Sequence, residues 1–316
     1  MQHLYLFIGG PGSEHNVSLA SGRNIANTLK DTPNLDIHIV LLTQQGQYFL
    51  DEKTINLDDL LKTMEGNVGI ILSVMHGAFG EDGQFARILE KTKLSFIGSG
   101  SQSLELTIDK QETGDFLRQY GIRVPQSFIV RDIHELHQIA LDLPCIVKPR
   151  ADGSSVSLYK PNSQEELWKI CIKELKTRSD ILVQEYIQGR EFTCGVVEIN
   201  DDILTLPPSE IILTKSDIFD YGAKYSPNGC REITPANIDD DLKKQIQELA
   251  LQVHKLCGCK DISRTDMILN KRGELVVLEI NTIPGMTETS FIPQQLHAAE
   301  LSIEDFVGSM VKKYKR

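Results

Sequence analysis

The sequence predicts a mixed α/β (α+β) protein of two or three domains that opens with an open α/β unit. Three observations carry this. A chain of 316 residues is longer than one small domain usually holds. Its start reads as strand, glycine-rich turn and helix, the entry to an α/β domain. Near residue 270, two alternating runs flank turn-forming residues, the pattern of an antiparallel hairpin.

Composition narrows the partners. Hydrophobic content of 41% and charged content of 24% suit a folded soluble protein. A net charge of −11 argues against nucleic acid as the main partner, because phosphate backbones need a basic surface, but it allows a local basic pocket for a small phosphate ligand. No apolar run approaches the roughly 20 residues of a membrane helix. Residues 1–10 have no basic start and no cleavage site, so they read as a strand and not a signal peptide. The six cysteines, at 145, 171, 194, 230, 257 and 259, match no zinc spacing and read as free thiols. A cytoplasmic protein without a membrane partner is expected.

Taken in order, Leu4–Ile8 is a buried strand, Gly9–Glu14 a glycine-rich turn and His15–Leu29 a helix. Gly10-x-Gly12-x-x-His15 lacks the third glycine of a dinucleotide fingerprint, so an oxidoreductase reading rests on little. The helix N-terminus favours an anion. Glu14 there either stabilises the helix dipole or receives a substrate ammonium. Ile37–Leu42 and Val68–Val74 are further strands. The second leads into Met75–Gly83, where His76 is a structural loop histidine or a site residue at the carboxyl end of a strand. Phe85–Lys91 is a short helix and Ser95–Gly98 a strand end.

Ser103–Tyr120 reads as one helix containing Lys110, followed by a strand at 128–130 and a helix over Ile133–Leu141. Pro144–Pro149 is an apolar strand carrying Lys148, and Arg150–Ser157 is either a phosphate-closing loop or a polar surface hairpin. Glu165–Lys176 is a helix. The run Ile181–Glu191 is a strand entering a turn; its backbone can meet an adenine edge and Glu191 ribose hydroxyls. Leu213–Arg231 is long and polar for a connection, which suggests a functional loop. Ile238–Leu256 and Leu296–Lys312 are helical.

The hairpin 264–281 reads either as the chemical centre or as the solvated face of an exposed hairpin; the Asn beside Glu279, followed by Pro284–Thr287, favours the first. If its runs pair across an even-numbered loop, Arg264, Asp266, Glu279 and Asn281 share one face. Three oxygen ligands then suit a hard cation such as Mg²⁺, and the guanidinium suits a phosphate or oxyanion.

Together these segments resemble the D-alanine–D-alanine ligases of the ATP-grasp superfamily over nearly the whole chain. The landmarks are Gly9-Gly10…Ser13-Glu14-x-x-Val17-Ser18-Leu19-x-Ser21-Gly22, His76-Gly77-x-x-Gly80-Glu81-Asp82-Gly83, Gly98-Ser99-Gly100, Asp109-Lys110 and Val147-Lys148-Pro149. They continue with Gly153-Ser154-Ser155-Val156, Gly189-x-Glu191-Phe192-Thr193, Ala223-Lys224-Tyr225, and Arg264-x-Asp266 with Glu279-x-Asn281-Thr282-x-Pro284-Gly285-Met286-Thr287.

The resemblance implies a three-domain ATP-grasp fold: a substrate domain over 1–102, a central domain over 103–188 and a catalytic domain over 189–316. It implies that ATP phosphorylates one D-alanine and that a second D-alanine attacks the acyl phosphate, releasing ADP and phosphate. Lys110, Lys148, Ser154, Ser155 and Lys224 would hold phosphates. Gln184, Glu185, Tyr186, Ile187 and Glu191 would hold adenine and ribose. Asp266, Glu279 and Asn281 would bind two Mg²⁺ ions, with Mn²⁺ able to substitute. Glu14, Ser154 and Tyr225 would form a trio at the first substrate, with His76 beside its carboxylate. Arg264 and the Gly285 N–H would face the oxyanion, and Ser290 the second carboxylate. A homodimer through the N-terminal domain is implied as well. The chain departs from the family pattern at Asp152, Ser157 and Phe291, where Glu, Gly and Leu or Met are usual. Another carboxylate–amine ligase of the same superfamily, or a non-catalytic ATP-binding homologue, shares many of these features.

Overall fold

The structure, a computed structural model, describes residues 1–151, 157–214, 218 and 229–315. The candidate site residues Ser154, Ser155, Lys224 and Tyr225 therefore lie outside the described residues, as does Asp152.

The first sheet has the order β4-β3-β2-β1-β5-β6. Its strands are β1 (Gln2–Gly9), β2 (Leu35–Leu42), β3 (Tyr48–Leu50), β4 (Lys53–Ile55), β5 (Ile70–Ser73) and β6 (Ser95–Ile97). β1 pairs in parallel with β2 and β5; residues 4–9 of β1 and 70–72 of β5 are buried, whereas β2 is fully buried only at Val40 and Leu42. Helix α1 (His15–Leu29) packs on β1, burying Ile25 and Leu29. Helices α2 (Leu57–Gly66) and α3 (Gln84–Leu89) complete the unit.

Two parts of this sheet escaped the sequence reading. The β3–β4 hairpin turns at Asp51 and Glu52, both left-handed, at φ 45° and 70°. An Asp-Glu pair carries none of the usual glycine or asparagine signal for such a turn. Helix α2 starts at Asn56, whose side chain accepts the Asp59 N–H at 2.9 Å. The strand expected from Val68 begins at Ile70, because Val68 is left-handed (φ 51°) and exposed.

The expected single helix at 103–120 is two, α4 (Ser101–Ile108) and α5 (Lys110–Gln119). Asp109 makes the break: it leaves helical geometry, and its carboxylate accepts the N–H groups of Gln111 and Glu112 at 3.0 Å each. That places Lys110 at the start of a helix. The helix expected over 133–141 is a 3₁₀ turn over Ile133–Gln138.

A second, antiparallel sheet of order β7-β9-β8 holds β7 (Ser127–Val130), β8 (Cys145–Lys148) and β9 (Ile181–Glu185), backed by α6 (Gln164–Glu174). The third sheet runs β13-β12-β10-β14-β15, with β11 also on β10. Its strands are β10 (Gly189–Ile199), β11 (Asp202–Thr205), β12 (Ser209–Leu213), β13 (Cys230–Ile233), β14 (Ile262–Asn270) and β15 (Leu275–Asn281). Helix α7 (Asp240–Leu256) covers one face; α8 (Phe291–Ala298) and α9 (Ile303–Lys313) follow.

One apolar core joins the first and third sheets. Leu6, Ile25 and Val74 pack in the same cluster as Ile262, Met286 and Phe306. Leu117 of α5 packs with Val277 and Ile280 of β15. These contacts press the carboxyl ends of β1 and β5 toward the end of the β14–β15 hairpin.

Candidate active site

The hairpin face holds all four expected side chains, but by an unexpected route. At its tip Leu269 opposes Leu275, and Asn270 and Glu274 close a turn over 271–273. Carried on unchanged, that odd-numbered turn would send Glu279 and Asn281 to the opposite face from Arg264 and Asp266. A bulge between Asp266 and Met267, with Leu278 as the extra residue, shifts the register. Arg264 then opposes Asn281, and Asp266 opposes Glu279.

Arg264 donates from Nε to Asp266 Oδ1 (2.9 Å) and from Nη2 to Oδ2 (2.7 Å). Both side chains are largely buried, at 15% and 14% exposure. Burial opposes the guanidinium charge, but the Asp266 carboxylate outweighs it and holds the pKa above the usual arginine range. The Asn281 amide donates to Asp266 Oδ2 at 3.1 Å, and the Thr193 hydroxyl to Oδ1. With its amide N–H so used, Asn281 has its carbonyl oxygen to offer a cation. Two carboxylates and an amide oxygen form an all-oxygen donor set that fits a hard divalent ion. Asp266 already accepts four hydrogen bonds, so an ion reaching it must share or displace one of these partners.

Two lysines approach from other elements. Lys110 Nζ stands 3.6 Å from Glu279 Oε2. Lys148, at the end of β8, is lowered to about 8, first by burial; Glu279 acts against that and Lys110 with it. Glu191 and Thr193 of β10 share the face of Asp266, which opposes Thr193. A narrow cleft lined by Lys110, Glu279, Leu278 and Gln184 runs from the hairpin toward β9. There Gln184 and Ile187 are buried, and Glu185 exchanges backbone and side-chain hydrogen bonds with Gln126 (2.8 and 3.1 Å). Tyr186 lies under Lys160, 4.2 Å from ring centroid to Nζ. Residues 186–188 link β9 of the second sheet to β10 of the third.

The first sheet supplies the opposite wall. His76 is buried at the end of β5, with Nδ1 2.8 Å from the Ile283 carbonyl and Nε2 3.5 Å from Ser21 Oγ. Burial lowers its pKa to about 4, so at neutral pH it is an uncharged ring whose Nδ1–H donates. Ser21 accepts the Met286 N–H at 3.1 Å, and Asn24 donates to the Met286 carbonyl at 2.8 Å. The loop after β15 is therefore tied to α1. Glu14 caps α1 without a side-chain cap bond; a Cβ on Gly77 would stand 3.7 Å from its Oε2. In that loop, Ser290 Oγ accepts the Thr287 N–H (3.1 Å) and meets Thr287 Oγ1 (2.6 Å). Gly285 is close-fitted: a Cβ there would come within 2.8 Å of Ser290 Oγ. Phe291 is buried, and Arg264 lies 5.7 Å from its ring.

Glu81 carries a role the sequence reading did not assign. It is buried, its Oε2 accepts the Gly77 N–H at 2.6 Å, and it lines a small cavity with Lys110, Glu279 and Asn281. Burial, then the nearby Glu14 charge, raise its pKa to about 8. Glu81, Thr193 and Ser21 all stood within recognised motifs; Asn24 gave no signal. Ser157, in place of the usual glycine, is left-handed (φ 69°), the region in which glycine is favoured.

The family model described as "D-ala D-ala ligase C-terminus" matches residues 117–312. A D-alanine--D-alanine ligase of Leptospira interrogans is 32% identical over 346 residues, covering 99% of this chain and 98% of that protein. The protein of the same name from Azobacteroides pseudotrichonymphae is 32% identical, covering 99% of each. Among solved structures, the VanG D-Ala:D-Ser ligase of Enterococcus faecalis superposes with a TM-score of 0.83 at 26% identity, covering 99% of both chains. The D-alanine-D-alanine ligase of Coxiella burnetii gives 0.80 at 25% identity, covering 99% of this chain and 93% of that one.

Proposed function

The chain belongs to the D-alanine–D-alanine ligase family, and from that premise we propose how its residues divide the work. It is an ATP-dependent ligase that joins two D-alanines for cell-wall synthesis, and the family uses ATP with a divalent metal. The observation that carries the residue assignments is the single hairpin face holding Arg264, Asp266, Glu279 and Asn281 beside Lys110 and Lys148.

In this reading Lys110 and Lys148 bind ATP phosphates, with Ser154, Ser155 and Lys224 completing the enclosure. Residues 184–187 and Glu191 hold adenine and ribose. Asp266, Glu279 and Asn281 would hold two Mg²⁺ ions, which when bound neutralise phosphate charge. Glu14 receives the ammonium of the first D-alanine, and Ser154 and Tyr225 link it to the closed loops. Neutral His76 donates a hydrogen bond and adds no charge near the first carboxylate. A carboxylate oxygen of the first D-alanine bonds to the γ-phosphorus of ATP, the bond from that phosphorus to the β-phosphate oxygen breaks, and ADP leaves. The second amine then forms the C–N bond, the bond to the phosphate oxygen breaks, and phosphate leaves while the amine nitrogen loses a proton. Arg264 and the Gly285 N–H face the oxyanion of that step. Ser290 orients the second carboxylate. Closure against water protects the acyl phosphate from hydrolysis.

We read the units as 1–102, 103–188 and 189–316, and the assembly as a homodimer. No helix among the described residues is long and apolar enough to cross a membrane; cytoplasmic placement is part of the proposal. The test is Glu279→Gln, which keeps the side-chain size and removes the charge. Turnover should fall by about a hundredfold or more, the scale of losing a preorganised charge-stabilising group. Turnover close to that of the parent protein would remove Glu279 from the metal set.

A further inference from the structure

We propose that His3, Asp36 and His38 bind one divalent transition-metal ion, of the zinc class, at the end of the first sheet remote from the ligation site. β1 and β2 are parallel neighbours in which His3 opposes Asp36 and Tyr5 opposes His38. The three donor atoms form a compact triangle. His3 Nδ1 lies 3.0 Å from His38 Nε2 and 3.3 Å from Asp36 Oδ2, and His38 Nε2 lies 3.4 Å from Asp36 Oδ2.

Those separations match a tetrahedral ion. Bonds of about 2.0–2.1 Å at tetrahedral angles put ligand atoms about 3.3–3.4 Å apart. An ion at that bond length from all three atoms would sit about 0.8 Å out of their plane, leaving a fourth position on its far side for water. The exposures of His3 (25%), His38 (19%) and Asp36 (39%) give an ion and that water access from solvent.

The surroundings of His38 strengthen the assignment. Asp51 Oδ2 stands 3.0 Å from its Nδ1, the carboxylate–histidine arrangement that orients metal-bound imidazoles. With the proton on Nδ1, Nε2 turns its lone pair to the triangle. Asp51 is itself held, because its Oδ1 accepts the Ile39 N–H at 2.9 Å, and the His38 ring stacks on Tyr5 at 4.7 Å. Two imidazoles and one carboxylate suit zinc-class ions, whereas Mg²⁺ prefers oxygen alone. The site is thus chemically distinct from the Asp266–Glu279 face. It is also distant: Gly9 lies six residue steps along the strand from His3, roughly 20 Å. An ion here would tie β1, β2 and the β3–β4 turn together, stabilising the substrate unit without touching substrate. This inference stands whether or not the ligase reading does.

The test uses the full chain, stripped of metal and held in excess Mg²⁺. Zn²⁺ is titrated calorimetrically, and Co²⁺ is followed by its visible spectrum. One equivalent should bind, with a tetrahedral cobalt spectrum and a rise in Tm on adding Zn²⁺. His38→Ala should lose all three responses. His3→Gln and Asp36→Asn, milder changes at partly exposed positions, should weaken binding at least tenfold and leave Mg²⁺-supported turnover unchanged. No stoichiometric uptake would overturn the proposal, leaving the triangle a hydrogen-bonded cluster. Equal uptake by the parent and the milder variants would overturn it too, placing the ion elsewhere.

Discussion

Replacing Arg264 by lysine separates the ion pair it makes with Asp266 from the oxyanion role proposed for it. The arginine makes two charge-assisted hydrogen bonds to Asp266, at 2.9 and 2.7 Å, between side chains only 15% and 14% exposed. A lysine ammonium keeps the charge but cannot span both carboxylate oxygens. One such bond is worth about 1.5–3 kcal/mol. In a chain of 316 residues that predicts a fall in Tm of roughly 2–5 °C. If the proposed role holds, the catalytic loss should be larger, because the guanidinium N–H groups that would face the oxyanion go as well. Removing one such donor costs about 10²–10³ in kcat. Coupled ADP release gives kcat, and the apparent KM for ATP should stay within a few-fold of the parent because Lys110 and Lys148 are untouched. Differential scanning fluorimetry reports the stability term separately. A variant with the lower Tm but near-parental kcat would refute the oxyanion role and leave Arg264 as the structural partner of Asp266.

Two titrations give predictions of opposite sign. His76 has its pKa lowered by burial to about 4, so its stabilisation is complete above pH 6.5 and is lost as pH falls through 4. The loss is on the order of 3 kcal/mol, and the His76 ring resonances in NMR should stay at neutral values down to pH 5. Glu81 is raised to about 8, so its stabilisation is complete below pH 4.5 and is lost as pH rises through 8. Glu81→Gln keeps an oxygen for the Gly77 N–H and cannot ionise, so its Tm should fall less than the parent's between pH 7 and 9. A parallel fall in both proteins would show that Glu81 is ionised throughout.

Much of the fold was legible because its signals are local. The glycine turn after β1, the apolar parallel strands and the long amphipathic α7 each follow from a short window. What escaped depends on single residues or on distant partners. Asp109 splits an apparently continuous helix because its side chain caps the next one. Asp51 and Glu52 turn a hairpin without a glycine. At the site, the four hairpin side chains were legible from alternation, but the turn alone would have misplaced two of them. Only pairing against β14 reveals the bulge at Leu278 that restores the shared face. The bonds from Ser21 and Asn24 to Met286 span more than 260 residues, a distance no local pattern reports.

D-alanine-dependent turnover is the most direct measure of the proposed ligase chemistry. With Mg²⁺ and ATP, ADP release is measured against added D-alanine, D-serine, D-lactate and L-alanine, and the products are identified by mass spectrometry. The expected result is ADP release driven by D-alanine, matched one for one by D-alanyl-D-alanine, with little from L-alanine. No ADP formation with D-alanine, or ADP formed without dipeptide, would contradict it.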